Sequence, residues 1–203
     1  MGAGPAVDPA TGRLATTREE VTVLFGNTPG ALFFVRQDQI NVQVPYERAG
    51  EISTQVVVRY RGASSPSVTV PVRPSAPGIF TITQDGRGQA ALLNENSTAN
   101  SASNRAARGS VVQIFMTGQG QTNPAGVTGA LPTFPTPTAT LPVTVTIGGR
   151  PAQTEFVGLA PGLAGLLQIN AVVPQEVTPG TAVELSVTTG GITSQAGVTL
   201  AVQ

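Results

Sequence analysis

The chain carries one ordered pattern twice. Val21-Thr-Val-Leu-Phe-Gly26, Pro29, Phe34-Val35, Gln39-Ile-Asn-Val-Gln-Val-Pro45, Gly62 and Val68-Thr-Val-Pro-Val72 return in the same order. The second copies are Val143-Thr-Val-Thr-Ile-Gly148, Pro151, Phe156-Val157, Gln168-Ile-Asn-Ala-Val-Val-Pro174, Gly191 and Val198-Thr-Leu-Ala-Val202. Self-similarity in a fixed order marks one supersecondary unit used more than once, so the fold must present two copies of one arrangement.

Within each copy the local period is two. Val21, Val23 and Phe25 alternate with Thr22 and Leu24, Ile40, Val42 and Val44 with Asn41 and Gln43, and Val143, Val145 and Ile147 with Thr144 and Thr146. Side chains two apart share a strand face, so each set can turn inward while its neighbours meet water. Turn-forming Gly, Pro, Asn and Ser bound these runs, and the Asn104–Arg108 segment is too short for more than a turn. The expectation is an all-β chain of two tandem immunoglobulin-like β-sandwiches. The first spans residues 1–73, is incomplete and lacks strands; the second spans 74–203 and is complete.

The incompleteness is a matter of supply. The first copy offers strands at about 21–26, 31–36, 39–45, 54–60 and 67–72, whereas a full sandwich of this kind uses about seven. The second copy has further strands upstream, in Gly78-Ile-Phe-Thr-Ile82, Gln89-Ala-Ala-Leu-Leu93 and Ser110-Val-Val-Gln-Ile-Phe-Met-Thr-Gly118. Ahead of the first copy stands only Met1–Glu20, with Pro5, Pro9 and Gly12 and some strand character at Leu14–Thr17. Inward Val112, Ile114 and Met116 would contribute roughly 5 to 9 kcal/mol, so a copy without that strand should be marginal on its own. Its edge at Gln39, Ile40, Asn41, Val42, Gln43 and Val44 is expected to be bare and strand-accepting. Two sources would fill it: a strand donated by another chain, or a segment preceding Met1 in a longer protein.

Composition removes most chemistry. Cys, His, Trp and Lys are absent and all 11 basic residues are Arg. Without them there is no Cys or His metal site, no Ser-His or Cys-His nucleophile and no Schiff-base lysine. The 11 Asp and Glu bring the formal charge to zero, a poor basis for neutralising phosphates or holding an anionic lipid surface. No apolar run is long enough to cross a membrane as a helix, and the first residues do not form a signal peptide. The reading is of no enzyme, no cofactor, no metal, no nucleic acid and no membrane insertion.

The remaining candidates are few. Glu47 with Glu51, or Glu19 with Glu20, are the carboxylate pairs, and both lie in turn-like polar segments. Asp85 with Gly86 and Gly88 offers too few oxygen ligands for calcium and reads as a tight turn. Gly118-Gln-Gly-Gln121 follows a strand but precedes no helix, so it reads as a turn rather than a phosphate loop. The Pro- and Thr-rich run Pro124–Pro142 is long for a sandwich loop and is open to three readings: a contact arm, an O-glycosylated segment or a plain surface loop. Asn96-Ser-Thr98 fits the N-glycosylation pattern.

The blocks Gln39–Pro45, Ala76-Pro-Gly-Ile-Phe80, Asn100-Ser-Ala-Ser-Asn104, Arg108-Gly-Ser-Val-Val112, Thr117-Gly-Gln-Gly120 and Val143–Gly149 together make the chain resemble the Solibacter-type uncharacterised C-terminal domain family over nearly its whole length. The resemblance implies the carboxy end of a large exported protein and a pair of immunoglobulin-like units of the IPT/TIG kind. It implies no activity and no site residues. Family members usually carry another Gly-rich strand segment ahead of the first Val-Thr-Val block, and this chain starts after that point. The functional expectation is a non-enzymatic, extracellular or cell-surface structural or adhesive protein. It self-assembles as a homo-oligomer or homopolymer into a surface filament by donor-strand complementation of the first domain. The alternative is a ligand- or carbohydrate-binding module, or one for a cell-surface partner, at the end of a larger secreted protein.

Overall fold

The computed structural model describes residues 2–203 and is built almost wholly of strands; among the described residues one 3-10 turn, Tyr46–Arg48, is the only helical element. No helix is long and apolar enough to cross a membrane. The chain divides into two compact units. The first takes the chain up to Pro74 together with Asn123–Pro137 and Ala160–Gly165; the second takes Ser75–Thr122, Thr138–Leu159 and Leu166–Gln203. Much of the Pro- and Thr-rich run thus belongs to the first unit, although it lies within the span 74–203 expected for the second domain.

In the first unit the strands are β1 (Val21–Phe25), β2 (Ala31–Arg36), β3 (Gln39–Gln43), β4 (Ser53–Tyr60) and β5 (Val68–Pro71). One layer runs Thr17–Arg18, β1, β4, Ala63–Ser64, with β5 also on β4, and every pairing in it is antiparallel. The other layer is the β2–β3 hairpin. The outer edge of β2 is covered by the chain's beginning: Ala3 and Val35 exchange backbone hydrogen bonds of 2.9 and 3.0 Å, and Leu32 donates to the Ala15 carbonyl. Val21, Val23, Phe25, Leu32 and Val35 are buried between the layers, while Ile40, Val42, Val56 and Val58 pack against them only partly buried.

The second unit contains β6 (Leu92–Asn94), β7 (Val111–Thr117), β8 (Val143–Ile147), β9 (Thr154–Leu159), β10 (Leu167–Val172), β11 (Gly180–Thr189) and β12 (Val198–Val202). Its layers run Gly88–Gln89, β12, β11, β8, Arg150–Ala152 and β6, β7, β10, β9. Val112, Ile114 and Met116 of β7 are fully buried in a core that includes Ile147, Ile169, Leu185 and Leu200.

The repeat holds at the level of register. Val23 faces Val58 as Val145 faces Val187, and Val35 faces Ile40 as Val157 faces Ile169. The β2–β3 hairpin carries an irregularity between Leu32 and Phe34, and the β9–β10 pair carries one between Thr154 and Phe156, at the same place in the repeat. The Gln39 amide donates to Asn41 Oδ1 at 2.8 Å, and Gln168 to Asn170 at 2.9 Å. The Gln-Ile-Asn block thus has a structural reason: its polar members hydrogen-bond each other two apart on one strand face while the Ile between them turns inward.

Candidate functional site

The site is one flank of the first unit, where two strand edges stand unpaired. Among the described residues β3 pairs with β2 alone and β5 with β4 alone. In the second unit both corresponding edges are taken. On β10, the counterpart of β3, β7 runs antiparallel with Ile114 opposite Ile169 and Val112 opposite Ala171. On β12, the counterpart of β5, Gly88–Gln89 pairs in parallel and the Ala106 amide donates to the Ala201 carbonyl.

A side-chain amide finishes that second edge. Asn100 is fully buried; its Nδ2 donates to the Ala201 carbonyl at 2.9 Å and its Oδ1 accepts from the Ala201 N–H at 2.8 Å. It thereby satisfies both backbone groups of one β12 residue as a neighbouring strand would. Nδ2 also donates to Asn94 and Oδ1 accepts from Gln89, so the buried amide is itself paired. Neither the period-two pattern nor any short motif marks Asn100 for this task.

Comparing repeat-equivalent residues shows what the unpaired edges leave open. Val173 is fully buried, whereas its counterpart Val44 is 54% exposed; Val198 is fully buried, whereas its counterpart Val68 is 59% exposed. Ile169, Ala171 and Leu200 are likewise fully buried, while Ile40, Val42 and Val70 are only half-buried. The flank therefore has two walls, β3 from one layer and β5 from the other, with apolar side chains on both. The sequence reading named the first wall, Gln39, Ile40, Asn41, Val42, Gln43 and Val44, and missed the second. The equivalence of Val68-Thr-Val70 with Val198-Thr-Leu200 was the signal that could have found it.

A strap braces the far end of β3. Gly129 donates its N–H to Gln43 Oε1 at 2.8 Å, and its carbonyl accepts from the Leu14 N–H at 2.8 Å. Thr128 Oγ1 accepts from the Tyr46 N–H and donates to Glu47 Oε2 at 2.6 Å. Leu131 and Phe33 pack on the buried cluster of Leu14, Ala31 and Ala164. Gly129 sits at φ +75°, and a Cβ there would stand 3.0 Å from the Leu14 carbonyl, so both conformation and space call for glycine. Within the run Pro124–Pro142, Thr128, Gly129 and Leu131 thus make contacts within the first unit.

The carboxylates proposed for acid-base work are engaged singly. Glu47 is held by Thr128, Glu51 pairs with Arg48 at 2.8 Å, and Glu20 pairs with Arg61 at 2.7 Å; Glu19 and Glu20 both adopt positive φ in the turn before β1. Asp85 Oδ1 accepts from the Thr83 hydroxyl and the Arg87 N–H, which hold its carboxyl below the ordinary aspartate value in a tight turn. Asp38 lies in the β2–β3 turn, where the Arg36 guanidinium lowers its carboxyl likewise. Gly118 takes φ +79° at a turn where its carbonyl accepts from Ala76. Asn96 is exposed, its Oδ1 taken by the Thr98 N–H and hydroxyl.

Compared with protein-family models, curated proteins and solved structures, the chain finds no match. The functional reading accordingly rests on the chain's own two copies, each serving as the reference for the other.

Proposed function

We propose that the chain is a non-enzymatic, extracellular structural or adhesive protein whose first unit accepts a β-strand from a neighbouring copy, linking copies into a surface filament. The observation that supports this reading is the contrast between Val44 and Val68, exposed on the open flank, and Val173 and Val198, buried where that flank is filled. An exposed strand edge beside apolar side chains is a template for another chain, and strand addition supplies main-chain hydrogen bonds along the edge together with pockets for alternate side chains. Head-to-tail donation that does not close on itself gives an open polymer. Zero formal charge leaves no net self-repulsion to oppose it.

Sedimentation and electron microscopy of the full chain across a hundredfold range of concentration test the reading. Growth of repeating particles with concentration supports it, and a monodisperse monomer throughout overturns it. The second reading is a carbohydrate- or protein-binding module at the end of a larger secreted protein. The observation in its favour is the exposure of the Tyr60, Phe80 and Phe134 rings, since aromatic faces stack on sugars.

A further inference from the structure

The chain contains its own template for what the open flank takes, and it departs from that template at both ends. In the second unit β7 lies on β10 with Val112 opposite Ala171 and Ile114 opposite Ile169; beyond them Met116 stands opposite Leu167, and the Val173 N–H donates to the Ser110 carbonyl. Transferred through the repeat, Ile169, Ala171 and Val173 become Ile40, Val42 and Val44. The apolar run of β3 is thus met at the end where β7 supplies only a serine.

At the other end Leu167 becomes Asp38. The cause is the length of the connection. β9 and β10 are joined by a seven-residue loop, 160–166, whereas β2 and β3 are joined by Gln37 and Asp38 alone, so β3 begins one residue later than β10. Leu167 is fully buried, but Asp38 is an exposed carboxylate held by Arg36. An apolar side chain placed opposite Asp38 would meet a solvated charge rather than a core.

We infer that the flank takes an extended segment running antiparallel to β3, with apolar side chains opposite Val44, Val42 and Ile40 and a polar or cationic one opposite Asp38. In order along that segment the pattern is apolar, x, apolar, x, apolar, x, polar or basic. The pattern gives the chemistry of the donated strand and rests on the reading above, in which a neighbouring copy donates it. Its middle residues face Gln43, Asn41 and Gln39, the polar face of β3, and are free to be Thr, Asn or Gln, as strand alternation allows.

Two synthetic peptides test the pattern on the full chain: one with the sequence Ser110–Thr117, and one with the same sequence carrying Ser110→Val and Met116→Arg. The readout is amide hydrogen exchange at residues 39–44 together with a binding isotherm. The expected result is protection of those amides by both peptides, with the doubly changed one binding about tenfold tighter, the gain from burying one Val-sized side chain against Val44. Val44→Lys in the full chain, at a position exposed enough to leave folding intact, should remove that gain.

Equal binding by the two peptides, tighter binding of the unchanged one, or no protection of residues 39–44 overturns the inference. The parent reading fails separately. A chain that stays monomeric at every concentration yet prefers the doubly changed peptide defeats self-assembly and supports the pattern, whereas a chain that polymerises while neither peptide, added in excess to monomer below the concentration of assembly, protects β3 defeats the pattern and leaves self-assembly standing.

Discussion

Val68 and Val198 occupy the same position in two copies of one repeat, and the first is 59% exposed while the second is fully buried. The same side chain on the same strand face therefore carries opposite energetic weight in the two units. Val198→Asp should destabilise the protein by about 3 kcal/mol or more, because it leaves a carboxylate in an apolar core. Val68→Asp should stay within about 0.5 kcal/mol. Urea unfolding of the two variants beside the parent checks this, and similar losses in both would mean that the flank is closed in solution.

The strap predicts a folding dependence that a cut at the domain boundary would expose. A fragment ending at Pro74 lacks Thr128, Gly129, Leu131 and Ala164, and with them the partners of Gln43, Tyr46 and Leu14. It should show weak β structure by far-ultraviolet circular dichroism and no cooperative melt. In the full chain, Leu131→Ala should cost about 1 to 2 kcal/mol for a half-buried side chain. The loss should appear as faster hydrogen exchange in β2 and β3 than in β11.

Asn100 should be among the least replaceable polar residues. Asn100→Leu removes the partner of the Ala201 N–H and one of the two donors to its carbonyl, which keeps the Ala106 N–H, and so leaves a buried N–H of β12 unsatisfied at a cost of about 1 to 3 kcal/mol. Asn104→Leu, at a half-buried position in the same loop, should cost less. Thermal unfolding of the two variants gives the comparison.

Stability should be flat with pH through the neutral range and fall only in acid. There is no His or Cys, so no side chain has an ordinary pKa between about 5 and 9. Asp85 is held low by the Thr83 hydroxyl and the Arg87 N–H, and Asp38 by Arg36. A carboxyl whose pKa is lower folded than unfolded adds stability above its unfolded value and loses it as pH falls through the folded one. The urea midpoint should therefore hold steady above the ordinary aspartate value and decline below it, and Asp85→Asn should shallow that decline.

The strands were legible because burial on one face writes itself as period two. Val21–Phe25, Ala31–Arg36 and Gln39–Gln43 lie within a residue or two of where alternation and turn residues put them. The strand that covers Gln168–Val172 directed attention to β3 through the repeat, and among the described residues β3 pairs with β2 alone. The second wall was not, because Val68 and Val70 read as an ordinary inward strand face until the exposure of Val68 is set beside the burial of Val198. The strap was illegible for another reason. Pro, Thr and Gly in 124–137 have no period, and what fixes them is a partner distant in sequence: Thr128 meets Tyr46 and Glu47 some eighty residues away. Asn100 looks like any loop asparagine, because edge satisfaction by a side-chain amide depends on where Ala201 arrives.

The discontinuity of the first unit delays its completion at the ribosome. Domains of a growing chain ordinarily fold as they emerge, the amino-terminal one first. Here β1–β5 leave the exit tunnel early, but Gly129 follows some fifty-five residues after Pro74 and Ala164 some ninety after it. Until then the stretch up to Pro74 is a nascent segment with both flank edges open, its clasp still being translated. Its strands must wait for residues made long after them.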